Sequence, residues 1–394
     1  MSRRVLITGV GVVASCGIGR DAFWAGLARP AQGARRDVTD FDSSLAYDNP
    51  KEARRSDRFT QFALAAAAEA WAHAGLDSAS TDHSIDPERC GVWVGSGIGG
   101  IGTLEEQIAV LLSKGERRVS PFLVPMMMAN ANAAAISMRY GLQGPCENTV
   151  TACAAGTQAI GNAMRMVRDG RCDLVVTGSS EAAITPVSLA AFGNMTALSS
   201  SGRSAPWDVA RDGFVIGEGG AILVLESEEH AAARGAPPLA SVAGAGSSAD
   251  AHHITAPSPG GAGAIRCMTM ALRDAGLSPA DIAHINAHGT STPLNDAAEA
   301  EAVSAMFGTP GPPITSIKGV TGHSLGAAGA LEAVAAVLSI VNATLPPTMG
   351  LVDYDPELPE LDVVREPRPW EPGPILSNSF GFGGHNGSIV ITPP

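Results

Sequence analysis

Asn148-Thr149-Val150-Thr151-Ala152-Cys153-Ala154-Ala155-Gly156-Thr157 is the stretch on which the fold turns. A Gly144-Pro145 turn leads into a β-compatible approach that ends at one cysteine. From that cysteine a helix-like run continues through residues 158–169, its first turn made almost entirely of small side chains. Strand, cysteine and helix in succession describe an α/β unit with a reactive group at the junction. Unpaired N–H groups and the positive end of the helix dipole favour an anion there, so the spacing predicts a thiol of lowered pKa that reacts as thiolate. A small buried cysteine capping a tightly packed helix would leave the same pattern.

The 394 residues, 45% hydrophobic and 16% charged, suffice for one large core or two ordinary domains and do not have the composition of a disordered chain. Abundant alanine and glycine predict helices and strands packed at short range. Residues 1–9 pass directly into a strand-like run, and the apolar segments read as too short to span a membrane, which together point to the cytoplasm. Cys16, Cys90, Cys146, Cys153, Cys172 and Cys267 show no CxxC spacing, so no structural zinc site or disulfide framework is signalled. A net charge of −13 argues against nucleic acid or an anionic membrane as a general partner.

Residues 4–13 read as a buried strand ending in Gly9-Val10-Gly11-Val12-Val13-Ala14, a loose GxGxxA match without the acidic residue a ribose contact needs. The glycines are read instead as a tight strand-to-helix turn. Residues 54–75 read as a long alanine-rich helix. Gly97-Ile98-Gly99-Gly100-Ile101-Gly102 lacks a P-loop ending and reads as a close-packed turn lining a pocket, and Met126, Met127 and Met128 as core filler. Pro237-Pro238 marks a midpoint between residues 1–238 and 239–394. Val242-Ala243-Gly244-Ala245-Gly246 echoes Ile7-Thr8-Gly9-Val10-Gly11, and His323-Ser324-Leu325-Gly326-Ala327-Ala328-Gly329-Ala330 echoes the Cys153 helix start. Two similar α/β halves would fit an internal duplication.

Three polar islands follow strand-like segments in the second half: Asn286-Ala287-His288-Gly289-Thr290-Ser291-Thr292, Ser316-Ile317-Lys318-Gly319-Val320-Thr321-Gly322-His323-Ser324, and Asn378-Ser379-Phe380-Gly381-Phe382-Gly383-Gly384-His385-Asn386. Loops at the carboxyl ends of strands collect catalytic groups in α/β folds. Imidazole N–H groups can stabilise an oxyanion or enolate, a thiolate can hold an acyl group, and backbone N–H groups near Phe382 can add donors. Lys318 among small residues needs a carboxylate partner, for which Glu299 and Asp296 are candidates.

Together the Cys153 stretch, the three islands and the segment Asp212-Gly213-Phe214-Val215-Ile216-Gly217-Glu218-Gly219 resemble the β-ketoacyl-[acyl-carrier-protein] synthases, and among them the type II elongating enzymes. The resemblance covers essentially the whole chain. It implies a thiolase-like fold, duplicated βαβαβαββ halves in a five-layer α-β-α-β-α sandwich, working as a homodimer, with a heterodimer of related subunits as the other arrangement. It implies that Cys153 takes the acyl chain from an acyl carrier protein, that His288 and His323 assist decarboxylation of malonyl-carrier, and that the carbanion attacks the thioester. The implied oxyanion hole is the backbone of Cys153 and Phe382, with Phe382 also a gate, and Lys318 and Glu299 form a buried charged pair. The acyl pocket maps to Ile98, Phe192 and Phe380, with Leu123 from a partner subunit. No cofactor or metal is implied, since the substrates ride on the carrier's phosphopantetheine.

Lys51, Arg54, Arg55 and Arg58, with Arg117 and Arg118 as a second island, offer basic contacts for an acidic carrier in an acidic protein, although a solvated charged face has the same composition. Relatives often carry a basic residue where this chain has Thr196, and threonine where it has His385. A thiolase would need a second cysteine in the C-terminal glycine loop, where none stands. A non-catalytic chain-length factor would be expected to lack the nucleophile. The pathway, fatty acid or polyketide, is not legible from these residues.

Overall fold

A computed structural model describes residues 3–31, 33–76 and 85–394. The first half carries strands β1 (Val5–Ala14), β2 (Cys90–Gly95), β3 (Cys146–Thr149), β4 (Leu174–Glu181) and β5 (Gly219–Ser227). Its main helices are α1 (Arg58–His73), α2 (Ala131–Tyr140) and α3 (Ala155–Arg168). The second half repeats the series with β6 (Ala240–Ala249), β7 (His284–Asn286), β8 (Ile314–Thr315), β9 (Ile375–Gly381) and β10 (His385–Thr392), and helices α4 (Ala262–Ala275), α5 (Pro293–Phe307) and α6 (Ala328–Asn342).

Each half is therefore βαβαβαββ, and the strand orders match: β3-β2-β4-β5-β1 in the first, β8-β7-β9-β10-β6 in the second. The first three strands of each order, counted from the sheet edge, run parallel and the remaining two pairings are antiparallel, and β1 meets β6 through a short antiparallel contact at Leu6 and Ile7. Helices α1 and α2 cover the outer face of the first sheet and α4 that of the second, with α5 packed on α4. Helices α3 and α6 lie between the sheets and touch strands of both. The layers are thus α-β-α-β-α, as the thiolase-like resemblance implies.

The two GxG echoes are explained by close packing, although not as a strand-to-helix turn. Strand β1 runs unbroken through Gly9 and Gly11, and a Cβ at either would lie 2.8 Å from the Ala74 Cβ or 2.7 Å from the Ala70 N at helix α1. Gly246 is crowded in the same way, a Cβ there lying 2.7 Å from the Ala271 N of α4. Glycine lets the outer helices settle onto the sheets at a distance no side chain would permit.

Other expectations shift. The long helix begins at Arg58, where Asp57 accepts a hydrogen bond from the Phe59 N–H as its cap, and Pro50–Ala53 is a separate turn. Met128 is 43% exposed, so it is not core filler in a single chain. Leu325–Asn342 is long and apolar enough to cross a membrane by composition, against the reading that no segment is, but 89% of it is buried inside the protein. It contains α6, which is buried from Ala328 to Ile340 and apolar there apart from Glu332 and Ser339, because it packs between the sheets.

Candidate active site

The two inner helices bring the site together. A Cβ on Gly156, in the first turn of α3, would lie 2.7 Å from the Ala330 N of α6, and one on Gly329 would lie 2.7 Å from the Thr157 N. The small residues that open both helices are what allow their N-termini to cross in contact. Immediately before those crossing points stand Cys153 and His323.

Ala152 adopts a left-handed φ of 48°, a strained setting for a residue with a Cβ, and Thr151 O accepts from the Ala154 N–H at 3.1 Å. The chain thereby turns sharply at Cys153, which lies 3.0 Å (Sγ) from His323 Nε2. His323 is fixed by its backbone, its N–H donating to Val215 O at 2.7 Å and its carbonyl accepting from the Gly217 N–H at 3.0 Å. The His288 and His323 rings stand edge to face with centroids 5.2 Å apart, and Phe214 and Phe380 pack edge-on against His323 and His288.

The expected depression of the thiol pKa is overturned. Burial pushes Cys153 up to about 12 and outweighs the Lys318 ammonium and the backbone N–H groups of Phe382 and Cys153 itself, which favour the thiolate. Cys153 therefore rests as a thiol. Burial, reinforced by the Lys318 charge, draws both His288 and His323 well below 6.5, so both imidazoles are neutral near pH 7.

Lys318 pairs with a carboxylate other than the two expected. Its Nζ forms an ion pair with Glu332 Oε1, both side chains only 1% exposed, and donates to His288 O at 2.5 Å. The same Nζ is 3.4 Å from His288 Nδ1. An ammonium has only protons to offer, so Nδ1 is the acceptor and His288 carries its proton on Nε2. Glu299 instead accepts from the His288 N–H at 2.8 Å and the Gly289 N–H at 2.7 Å, while Asp296 accepts from the Trp207 N–H at 2.9 Å. Sequence spacing could not separate three acidic residues on two helices; the turn of α6 that carries Glu332 lies over Lys318 only once the helices have crossed.

Ligand atoms of Cys153, His288 and His323 lie within 4.8 Å of one another and could in principle hold a metal ion. A fixed ammonium beside His288 repels a divalent cation, so the set is better suited to handling an acyl group and its developing negative charge.

A cavity of about 380 Å³ opens onto this centre, lined among others by Cys153, His288, His323, Phe380 and Phe382. Its walls include Thr196, Asp250, Thr290 and Thr292, which residue types alone did not single out as lining; the Thr290 and Thr292 hydroxyls are 2.9 Å apart. Gly381 backs directly onto Cys153, where a Cβ would meet the Cys153 N at 3.1 Å. Ile98, which is 41% exposed, and Leu123 do not line this cavity. Phe192 does not line it either and packs instead against an apolar cluster of Cys153, Phe214 and Leu325, together with Ile101 and Leu198.

Of the basic residues, Lys51, Arg54, Arg55, Arg117 and Arg118 are exposed. Arg55 stacks 4.6 Å over the Phe122 ring, which brings the first basic island beside the segment that follows Arg118. Arg58 is different: it binds Glu218 and donates to Val38 O, tying α1 to the fold.

Comparisons agree with this geometry. Residues 29–231 match the model of the β-ketoacyl synthase N-terminal domain and residues 239–352 that of the C-terminal domain. The chain is 43% identical to the 3-oxoacyl-[acyl-carrier-protein] synthase 2 of Synechocystis sp., over 99% of this chain and 98% of that one. It superposes on the ishigamide ketosynthase/chain length factor with a TM-score of 0.92 at 32% identity, covering 100% of both chains. A ketosynthase chain solved with a type II polyketide acyl-carrier protein, AntDE:AntF, gives 0.89 at 32% identity, again over 100% of both. A crossing of two glycine-opened helices that sets a cysteine against two neutral histidines, matched over nearly the full length by such relatives, leads to one conclusion: this chain belongs to the β-ketoacyl synthase family.

Proposed function

We propose that this protein is an acyltransferase that condenses an acyl thioester with malonyl-acyl carrier protein, releasing carbon dioxide and giving β-ketoacyl-acyl carrier protein in fatty acid synthesis. The observation that carries this reading is Cys153 Sγ 3.0 Å from a neutral His323 Nε2, both lining one cavity of about 380 Å³.

As the acyl-carrier arrives, His323 Nε2 takes the thiol proton. Sγ then bonds to the acyl carbonyl carbon, the carbon–sulfur bond to the pantetheine breaks, and the carrier thiol leaves with a proton. The N–H groups of Cys153 and Phe382, which favour negative charge at this position, receive the oxyanion. When malonyl-carrier follows, its carboxylate leaves as carbon dioxide and the electron pair becomes an enolate, stabilised by the Nε2–H of His288. The enolate carbon attacks the acyl carbonyl and Sγ leaves as thiolate; because His323 has already passed the first proton to the departing carrier thiol, Sγ is reprotonated by one proton from solvent, the proton that the decarboxylative condensation consumes. Lys318, held by Glu332, keeps His288 in the donating tautomer. No cofactor or metal of the protein's own enters these steps.

The exposed basic residues Lys51, Arg54, Arg55, Arg117 and Arg118 form the carrier-docking face, supported by the Arg55–Phe122 contact that joins the two islands. The working unit is a homodimer. Strand β3 is an edge, its Cys146 and Glu147 exposed, and Leu112, Val124, Met128 and Met138 are exposed apolar side chains that a second copy would cover. Closure of that face would bring Leu123 to the acyl pocket beside Ile98 and Phe192. Six free cysteines suit a reducing compartment, so we assign the enzyme to the cytoplasm.

Intact-mass analysis with acyl-carrier tests the reading. The expected result is one acyl adduct, mapped to Cys153 and discharged as β-ketoacyl-carrier on adding malonyl-carrier. An adduct elsewhere, or none, would overturn it.

A further inference from the structure

The mechanism leaves one fully buried carboxylate beside the nucleophile unused. Glu181, the last residue of β4, is 0% exposed and has no cationic partner among the described residues. Its Oε2 accepts from the Gly97 N–H at 2.6 Å and from the Gly326 N–H at 3.2 Å, while Ser96 Oγ–H donates to Oε1 at 3.3 Å. Ser96 and Gly97 follow β2 in the first half. Gly326 stands three residues beyond His323 in the second, next to Leu325, which packs on Cys153 with a strained φ of 49°.

We infer that Glu181 is a positioning residue for the nucleophile: its carboxylate clamps the His323–Gly326 turn to the Ser96–Gly97 turn across the two halves. Two observations carry this. A Cβ on Gly326 would lie 2.7 Å from Glu181 Oε2, so both turns are glycine where the carboxylate passes between them. And Glu181 acts on Cys153 in the direction opposite to Lys318, the one raising and the other lowering the thiol. Burial pushes Glu181 itself up to about 7, held from going further by the Gly97 and Gly326 N–H groups.

The other charged or titratable groups around Cys153 are Lys318 and the neutral His288 and His323; Asp57 lies under the same glycine loop, accepting from the Thr103 N–H and Oγ1–H. Glu299 and Glu332 are also pushed to about 7 by burial, but they are the same in parent and variant.

The test is the pH profile of Cys153 alkylation by iodoacetamide, read by peptide mapping from pH 5.5 to 9. This rests on Cys153 being the nucleophile; failure of that reading appears separately, as a parent enzyme in which an acyl-carrier never acylates Cys153. In the parent the rate rises less steeply than tenfold per pH unit near pH 7, as Glu181 ionises and opposes the thiolate. Glu181→Gln removes that bend and lowers condensation kcat about tenfold with KM for both carriers unchanged. Glu181→Asp keeps the bend but loses kcat, because a shorter side chain cannot span both N–H groups. A parent-like bend in Glu181→Gln overturns the inference, as does parent kcat in both variants. Should Glu181→Gln fail to fold, Ser96→Ala decides: losing one donor moves the bend to higher pH, and an unmoved bend overturns the inference.

Discussion

In the first half the segment between β3 and α3 is residues 150–154 and carries one reactive group; in the second, the matching segment between β8 and α6 is residues 316–327 and carries Lys318 and His323. The strand order and strand directions of the halves are otherwise the same. The short connection leaves Cys153 at a helix start with backbone N–H groups for company. The long one has room for a helical turn, Lys318–Thr321, and for a histidine held by Val215 and Gly217 of the other half. Duplication supplies two facing helix starts, and connection length decides which chemistry each can hold. The electrostatics differ accordingly: the first half offers a thiol that burial keeps protonated, the second a neutral histidine, which under the proposed mechanism receives its proton.

Removing the single group of the short connection gives the largest effect. Cys153→Ala lowers condensation by more than about a thousandfold, while the fold survives and malonyl-carrier decarboxylation continues, since that step uses His288 and no acyl-enzyme. Product chromatography alongside a thermal melt checks all three outcomes.

The two histidines separate next. His323→Ala slows acylation of Cys153 by about 10²–10⁴-fold, the range of general base catalysis, and slows condensation with it. His288→Ala leaves acylation within about tenfold and depresses decarboxylation by the larger factor. Single-turnover acylation measured against carbon dioxide release resolves the steps; equal losses in both variants would erase the division between them.

Lys318→Met strands Glu332 without its cation and costs about 3–5 kcal/mol of stability in urea unfolding. A double-mutant cycle should find coupling of Lys318 to Glu332 and little to Glu299, because the Glu299 carboxylate is occupied by two backbone N–H groups.

Gly156→Ala tests the crossing of the halves. Its Cβ would lie 2.7 Å from the Ala330 N, so α3 and α6 must part, at about 1–3 kcal/mol of stability and with loss of the short Cys153–His323 contact. The smallest effect belongs to Ile98→Phe, expected to shift the rate ratio of long to short primers by about tenfold against long ones. An unchanged ratio would remove Ile98 from the acyl pocket.

Much of this was legible in residue order. Cys153, His288 and His323 stand out because small-residue helix starts and polar islands after strands need no partner to be recognised. The paired GxG motifs announced two like halves, although their cause, outer helices resting on β1 and β6, is a matter of packing. What residue order supplied, then, was the hint of two like α/β halves and the candidates Cys153, His288 and His323, all local patterns, while the thiolase-like fold class came from the resemblance that those motifs carry. Tertiary structure alone decided the thiol's protonation, because helix-start electrostatics can be read locally while desolvation depends on everything packed around the sulfur. It alone chose Glu332 as the partner of Lys318 and set Glu181 between the two halves, because a buried charge finds its partner by where helices cross, and crossing has no signature in spacing.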